Sequence, residues 1–216
     1  NVVGSINTVT GTANNVNGNL NLVGGLQNNV VGSSNGVYGT ANTVLGNQNG
    51  VIGTANTVGG SLNTVAGLQN TVLGTQNAVQ GTVNTVVGGG NTVSGAFNYA
   101  QGNLNQLYGL NNTVIGSANT VAGVSNDVLG NANLAVGSGN AVVGNLNTVV
   151  GNINSVIGQT NTVSGSGNFV NGTGNVVVSS NLRTNWWKFF LNLIICTIYF
   201  LFHSYLFSIP LNFRFL

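Results

Sequence analysis

The chain has 216 residues, of which 34 are Gly, with one Pro, one Cys, no Met and only four charged side chains. This much Gly excludes ordinary globular composition, and the absence of a three-residue Gly period with Pro excludes collagen. The net charge of +2 comes from Arg183, Lys188 and Arg214, all near the C-terminus, against a single Asp127, so the long N-terminal part is almost neutral and offers no basic stripe for nucleic acid.

The chain opens at Asn1 inside a repeating unit, with Val2 already at a valine position, which reads as a mature chain or a fragment. From Gly4 to Gly172 every seventh residue is Gly, 25 in all, and Asn follows each Gly three residues later, from Asn7 to Asn175. Two residues after each Asn stands Val, from Val9 to Val177, replaced only by Ala100, Leu107 and Ala135. No insertion breaks the register until Ser179, which stands where the next Gly would fall. Such a repeat governs the fold.

A seven-residue period raises the possibility of a coiled coil. That needs two apolar positions per heptad and charged flanks, whereas each unit here has one dependable apolar position and a helix-weakening Gly. A β reading fits. In N-x-V-x, Asn and Val lie two apart and share one face of a strand, with the residues between them pointing outward. Gly provides a backbone conformation that other residues adopt poorly and so makes the corner. One heptad is then a strand and a corner, and two heptads close a flattened 14-residue coil. Val from both sides meets in a thin dry core, and each Asn stacks on the Asn of the next coil in an amide ladder that satisfies buried backbone groups. At ~4.7 Å per coil, about 12 coils predict a rod of roughly 55 Å. The expected class is all-β, a parallel β-solenoid over residues 1–178.

Residues 179–185 read as a linker and 186–216 as a separate hydrophobic tail. Trp186 to Pro210 is long enough to span a bilayer, with Trp186 and Trp187 suited to an interface and Arg183 and Lys188 flanking one end. Asn192 and His203 stand against a span. A lipid-anchor signal would use Ser179 and Ser180, but the polar spacer after them is too short. The competing reading is a segment translated past a frameshift, since its Phe, Leu, Ile, Asn and Tyr are the residue types of A/T-rich codons. Cys196 and His203 then need no role.

The unit x-x-N-x-V-x-G, in copies such as "SLNTVAG" at Ser61 to Gly67 and "SANTVAG" at Ser117 to Gly123, resembles the heptad repeat of the ice-binding, ice-recrystallisation-inhibiting antifreeze proteins of cold-hardy grasses. The resemblance extends over residues 2 to about 178. It implies a left-handed parallel β-roll with two heptads per coil, secretion to the cell exterior, and ice bound by a flat face.

The outward positions beside Val decide which face that is. Alternate heptads fall on opposite faces. One carries Thr43 and Leu45, Thr57 and Gly59, Thr71 and Leu73, Thr85 and Val87, and Thr113 and Ile115, broken by one coil with Tyr99 and Gln101. The other carries Thr8 and Thr10, Thr64 and Ala66, Thr92 and Ser94, Thr120 and Ala122, Thr148 and Val150, and Thr162 and Ser164, with bulkier coils such as Ala78 and Gln80 or Gln106 and Tyr108 between them. Thr supplies a methyl and a hydroxyl on a stiff χ1, and coil spacing near ~4.7 Å is close to a repeat of the ice lattice. The blander account is that Thr favours β positions generally. The first face is preferred, giving candidate ice-contact residues Thr43, Leu45, Thr57, Thr71, Leu73, Thr85, Val87, Thr113 and Ile115. A row of exposed Leu, Val and Ile also suits a protein interface, so an adhesin or cell-surface structural rod is the alternative.

The expectation is a monomeric, secreted or surface-anchored protein whose partner is ice or its water layer, with no cofactor and no enzymatic activity. One acid, one His and one thiol, far apart in sequence, make no catalytic set, and calcium-binding rolls need repeated Asp. Asp127 reads as a solvated outward charge. The sequons Asn111-Asn112-Thr113 and Asn171-Gly172-Thr173 are expected by chance in so Asn- and Thr-rich a chain.

Overall fold

The computed structural model describes residues 1–185. They form 27 short strands, from β1 (Val2–Val3) to β27 (Arg183–Asn185), with no helix among the described residues. Odd-numbered strands make one 14-stranded parallel sheet and even-numbered strands a second of 13. Each strand pairs with the strand two further on, 14 residues away, as in Thr43↔Thr57 and Thr64↔Ala78. This is the predicted all-β parallel solenoid of two heptads per coil. The strand ladder runs on past residue 178, because β27 pairs with β25 (Phe169–Thr173) through Phe169↔Arg183. That last strand lies beyond the end of the Gly series, and the Leu182 N–H just before it still donates to Asn168 Oδ1 at 2.9 Å.

The inward positions are the ones expected. Val16 to Val177 at seven-residue spacing, with Ala100, Leu107 and Ala135, form one core that is essentially sealed from water. Each fully buried Val contributes about 1.5–3 kcal/mol of transfer free energy relative to exposure. Asn14 to Asn168 are also buried. A buried amide is tolerable only if all its groups are paired, and here they are. Asn49 Nδ2 donates to Asn35 Oδ1 at 3.1 Å and to the Gly60 carbonyl at 2.9 Å. Its Oδ1 accepts from the backbone N–H and Nδ2 of Asn63, both at 3.1 Å. Two such ladders run the length of the rod, one at each edge.

The corner differs from the sequence expectation. Gly does not sit at the corner but inside the strand, as Gly46 does in β7 (Thr43–Asn47) with φ 130°. A Cβ there would run into the carbonyl oxygen of Gly60 in the next coil. Gly is therefore required by close stacking of backbones as well as by its φ. The sharp left-handed turn comes two residues later, at Gln48 (φ 56°) and at the equivalent residue of every coil, including Val83 (φ 55°), Phe97 (φ 57°) and Ile153 (φ 57°).

Candidate functional site

The two broad faces of the rod are built from the same backbone, so their outward side chains alone distinguish them. On the odd sheet β7, β9 (Thr57–Ser61), β11 (Thr71–Thr75) and β13 (Thr85–Gly89) lie side by side. Their registers Thr43↔Thr57, Thr57↔Thr71 and Thr71↔Thr85 place four Thr in one unbroken rank perpendicular to the strands. Thr57 is exposed and the other three are half-buried.

The next outward column along the same strands is Leu45, Gly59, Leu73 and Val87, again in direct register. Leu45 and Leu73 are about half exposed. Leu73 Cδ2 leans over the place where Gly59 has no side chain, within 2.9 Å of where a Cβ would stand, and this levels the column. The outcome is a flat patch four strands wide with a hydroxyl-and-methyl rank beside an aliphatic one and no charge within it.

Thr113 and Ile115, on β17 (Thr113–Ile115), belong to the same two columns but are not adjacent to this patch. β15 (Tyr99–Asn103) stands between, pairing Thr85↔Tyr99 and Tyr99↔Thr113. On the far side of β17 the Thr column continues to Asp127, on β19 (Asp127–Asn131), which is exposed as expected. Seven of the nine candidate residues are thus brought together and two are set apart.

The even sheet has no comparable rank. Reading its column in order gives Thr64, Ala78, Thr92, Gln106, Thr120, Leu134, Thr148 and Thr162, so only the last two Thr are neighbours. Tyr38 and Tyr108 project from the second column of that face, both more than two-fifths exposed. The Tyr38 ring lies over Gly24.

Sequence reasoning missed a set of separate, exposed Asn contacts between neighbouring coils at the rod edges. Asn47 Oδ1 accepts the Ser33 N–H at 2.9 Å, Asn103 the Gly89 N–H at 2.9 Å, and Asn131 the Ser117 N–H at 2.9 Å. On the odd sheet the column after Gly mixes Ser, Asn, Thr, Gly and Gln, so its only signal is Asn recurring at multiples of 14.

Two fixed columns of Gly and Asn, a Val core and a Thr-bearing flat face of two-heptad coils make a pattern that can be compared with known rolls. Residues 32–116 match the grass antifreeze beta roll. The repeat resemblance is thereby supported, and the antifreeze beta roll is an ice-binding family and not an enzyme family. All nine candidate residues fall inside the matched stretch. It also spans Thr64 and Thr92 of the opposite face, so the likeness speaks for the roll and not for one side of it. No curated protein matches the chain.

Among the described residues there is no group of three or more His, Cys, Asp or Glu able to hold a metal, and no helix long and apolar enough to cross a membrane. The membrane-anchor and frameshift readings of Trp186 to Pro210, with Cys196 and His203, lie outside the described residues.

Proposed function

We propose that this protein inhibits ice growth and recrystallisation through the odd sheet, with the patch on β7, β9, β11 and β13 as its contact surface. The observation that carries this reading is the four-threonine rank in direct register. A flat array of equally spaced methyl and hydroxyl groups can order water in two dimensions. Rigid backbone stacking keeps the spacing constant, and Thr χ1 is stiff. A charge within the patch would hold water in a competing arrangement, and the nearest one, Asp127, lies beyond β15 and β17. Action on ice outside the cell calls for secretion or surface anchoring, and a single rod presents the whole face without a partner subunit.

Ice-recrystallisation inhibition by the unmutated protein is the primary test; its absence removes the antifreeze reading and favours a structural or adhesive rod. Thr71→Tyr, in the middle of the rank, is expected to abolish most of the inhibition while changing stability by less than about 0.5 kcal/mol, as outward substitutions usually do. Thr120→Tyr on the even sheet is the matched control and is expected to matter less. Equal losses from both would reject the choice of face.

A further inference from the structure

The odd sheet is interrupted at one strand, and there both outward columns change together. β15 places Tyr99 in the Thr column and Gln101 in the aliphatic column. Tyr99 Oη donates a hydrogen bond to Gln101 Oε1 at 2.8 Å, which ties the two side chains into a bar across the strand. Beneath them the inward residue is Ala100 in place of Val, and the other sheet of the same coil carries Leu107 in place of Val, both fully buried. The whole coil is repacked and no single surface position is simply exchanged. β17, beyond it, has Tyr99 on one side of Thr113 and Asp127 on the other.

We infer that Tyr99 and Gln101 set the end of the ice-contact patch, so that Thr113 and Ile115 do not act with the four strands before them. The inference rests on the ice-contact reading of the odd sheet. An ordered water layer laid over Thr43, Thr57, Thr71 and Thr85 needs an uninterrupted plane. It stops at a ring bulkier than Thr whose hydroxyl proton is committed to Gln101. Without the bar the Thr column would run through six strands from Thr43 to Thr113; with it, four act together and Thr113 is isolated between a Tyr and a carboxylate.

The test compares Thr71→Tyr, Thr113→Tyr, the bridging pair Tyr99→Thr/Gln101→Val, and the bridging pair combined with Thr113→Tyr. The readout is the lowest protein concentration that halts ice-crystal coarsening, with far-UV circular dichroism and melting curves confirming the fold of each variant. Thr71→Tyr raises that concentration severalfold. Thr113→Tyr leaves it at the native value. The bridging pair lowers it to about two-thirds or less, as contiguous contact grows from four strands to six. In the bridged background Thr113→Tyr removes about half the gain, because five contiguous strands remain, and that loss, absent in the native background, is the coupling that adjacency demands.

Thr113→Tyr as damaging as Thr71→Tyr in the otherwise native chain would overturn the inference, as would a folded bridging pair no better than the native chain. If Thr71→Tyr itself is silent, the odd-sheet reading fails and takes the inference with it. The two single variants need no bridging, so they decide the matter even where the pair does not fold.

Discussion

Replacing Asn77 with Ala removes one rung of a buried ladder, and the cost can be worked out group by group. Asn77 Nδ2 donates to Asn63 Oδ1 at 3.0 Å and to the Gly88 carbonyl at 2.8 Å, and its Oδ1 accepts the N–H and Nδ2 of Asn91, both at 3.0 Å. After truncation Asn63 Oδ1 keeps the Asn77 backbone N–H, at 3.1 Å in the native chain. Two donors of Asn91 lose their acceptor, and Asn91 is fully buried; the Gly88 carbonyl also loses a donor, but it lies at a half-buried position where water replaces it. At about 1–3 kcal/mol for each buried group left unsatisfied, the loss is about 2–6 kcal/mol. Asn47→Ala is the control, with the same residue type and the same stacking period. It removes the acceptor for Ser33 N–H at an exposed edge, where water takes over, and costs under about 1 kcal/mol. Urea denaturation gives the two values, and amide exchange shows whether the coils around residues 63–91 open first, as summed neighbour contacts require. If Asn77→Ala cost no more than Asn47→Ala, the claim that the inner ladder carries the rod would be wrong.

Gly46→Ala should destabilise by about 3 kcal/mol or more, since its Cβ would meet backbone of the next coil. Gly50→Ala, where nothing lies within 4 Å, should instead stabilise by about 0.4–1 kcal/mol; thermal melts separate the two. Ile153→Asn should raise stability by about 1 kcal/mol, because Ile153 holds φ 57° at an exposed corner and Asn tolerates that region better. Deleting residues 186–216 should leave a folded, ice-active rod, checked by circular dichroism and the recrystallisation assay; a folded but inactive truncation would give the tail a role in activity.

The sequence disclosed the positions where one residue type is compulsory. Asn in the ladder and Gly in the stack recur because no other side chain meets the local demand, Val in the core yields only to Ala100, Leu107 and Ala135, and the spacing of the three implies two heptads per coil. Thr43, Thr57, Thr71 and Thr85 could be placed on one face by counting in fourteens. The left-handed corner stayed hidden because the backbone imposes it on whatever residue is there. Ala41, Gln48, Val83 and Phe97 all adopt it, so the column looks unconstrained. For the same reason the pattern points to Gly as the turn, when its stricter duty is to let Gly46 and Gly60 approach. β27 was illegible too, since Arg183–Asn185 pairs through its main chain and carries no Gly-Asn-Val signature.

A coil of two equivalent halves gives the rod a parity. Losing residues 50–56, one complete unit, would leave every Gly, Asn and Val in place for the fold, and the core would close as before. Every outward residue downstream would nevertheless change sides. Thr57, Thr71 and Thr85 would pass to the ladder that now holds Gly36, while Thr43 stayed behind. Loss of two units would restore the original faces. The fold is blind to an odd number of units and the surface is not. Such rolls can therefore lengthen or shorten by whole units without breaking the fold, while the outward columns downstream change sides with each single step.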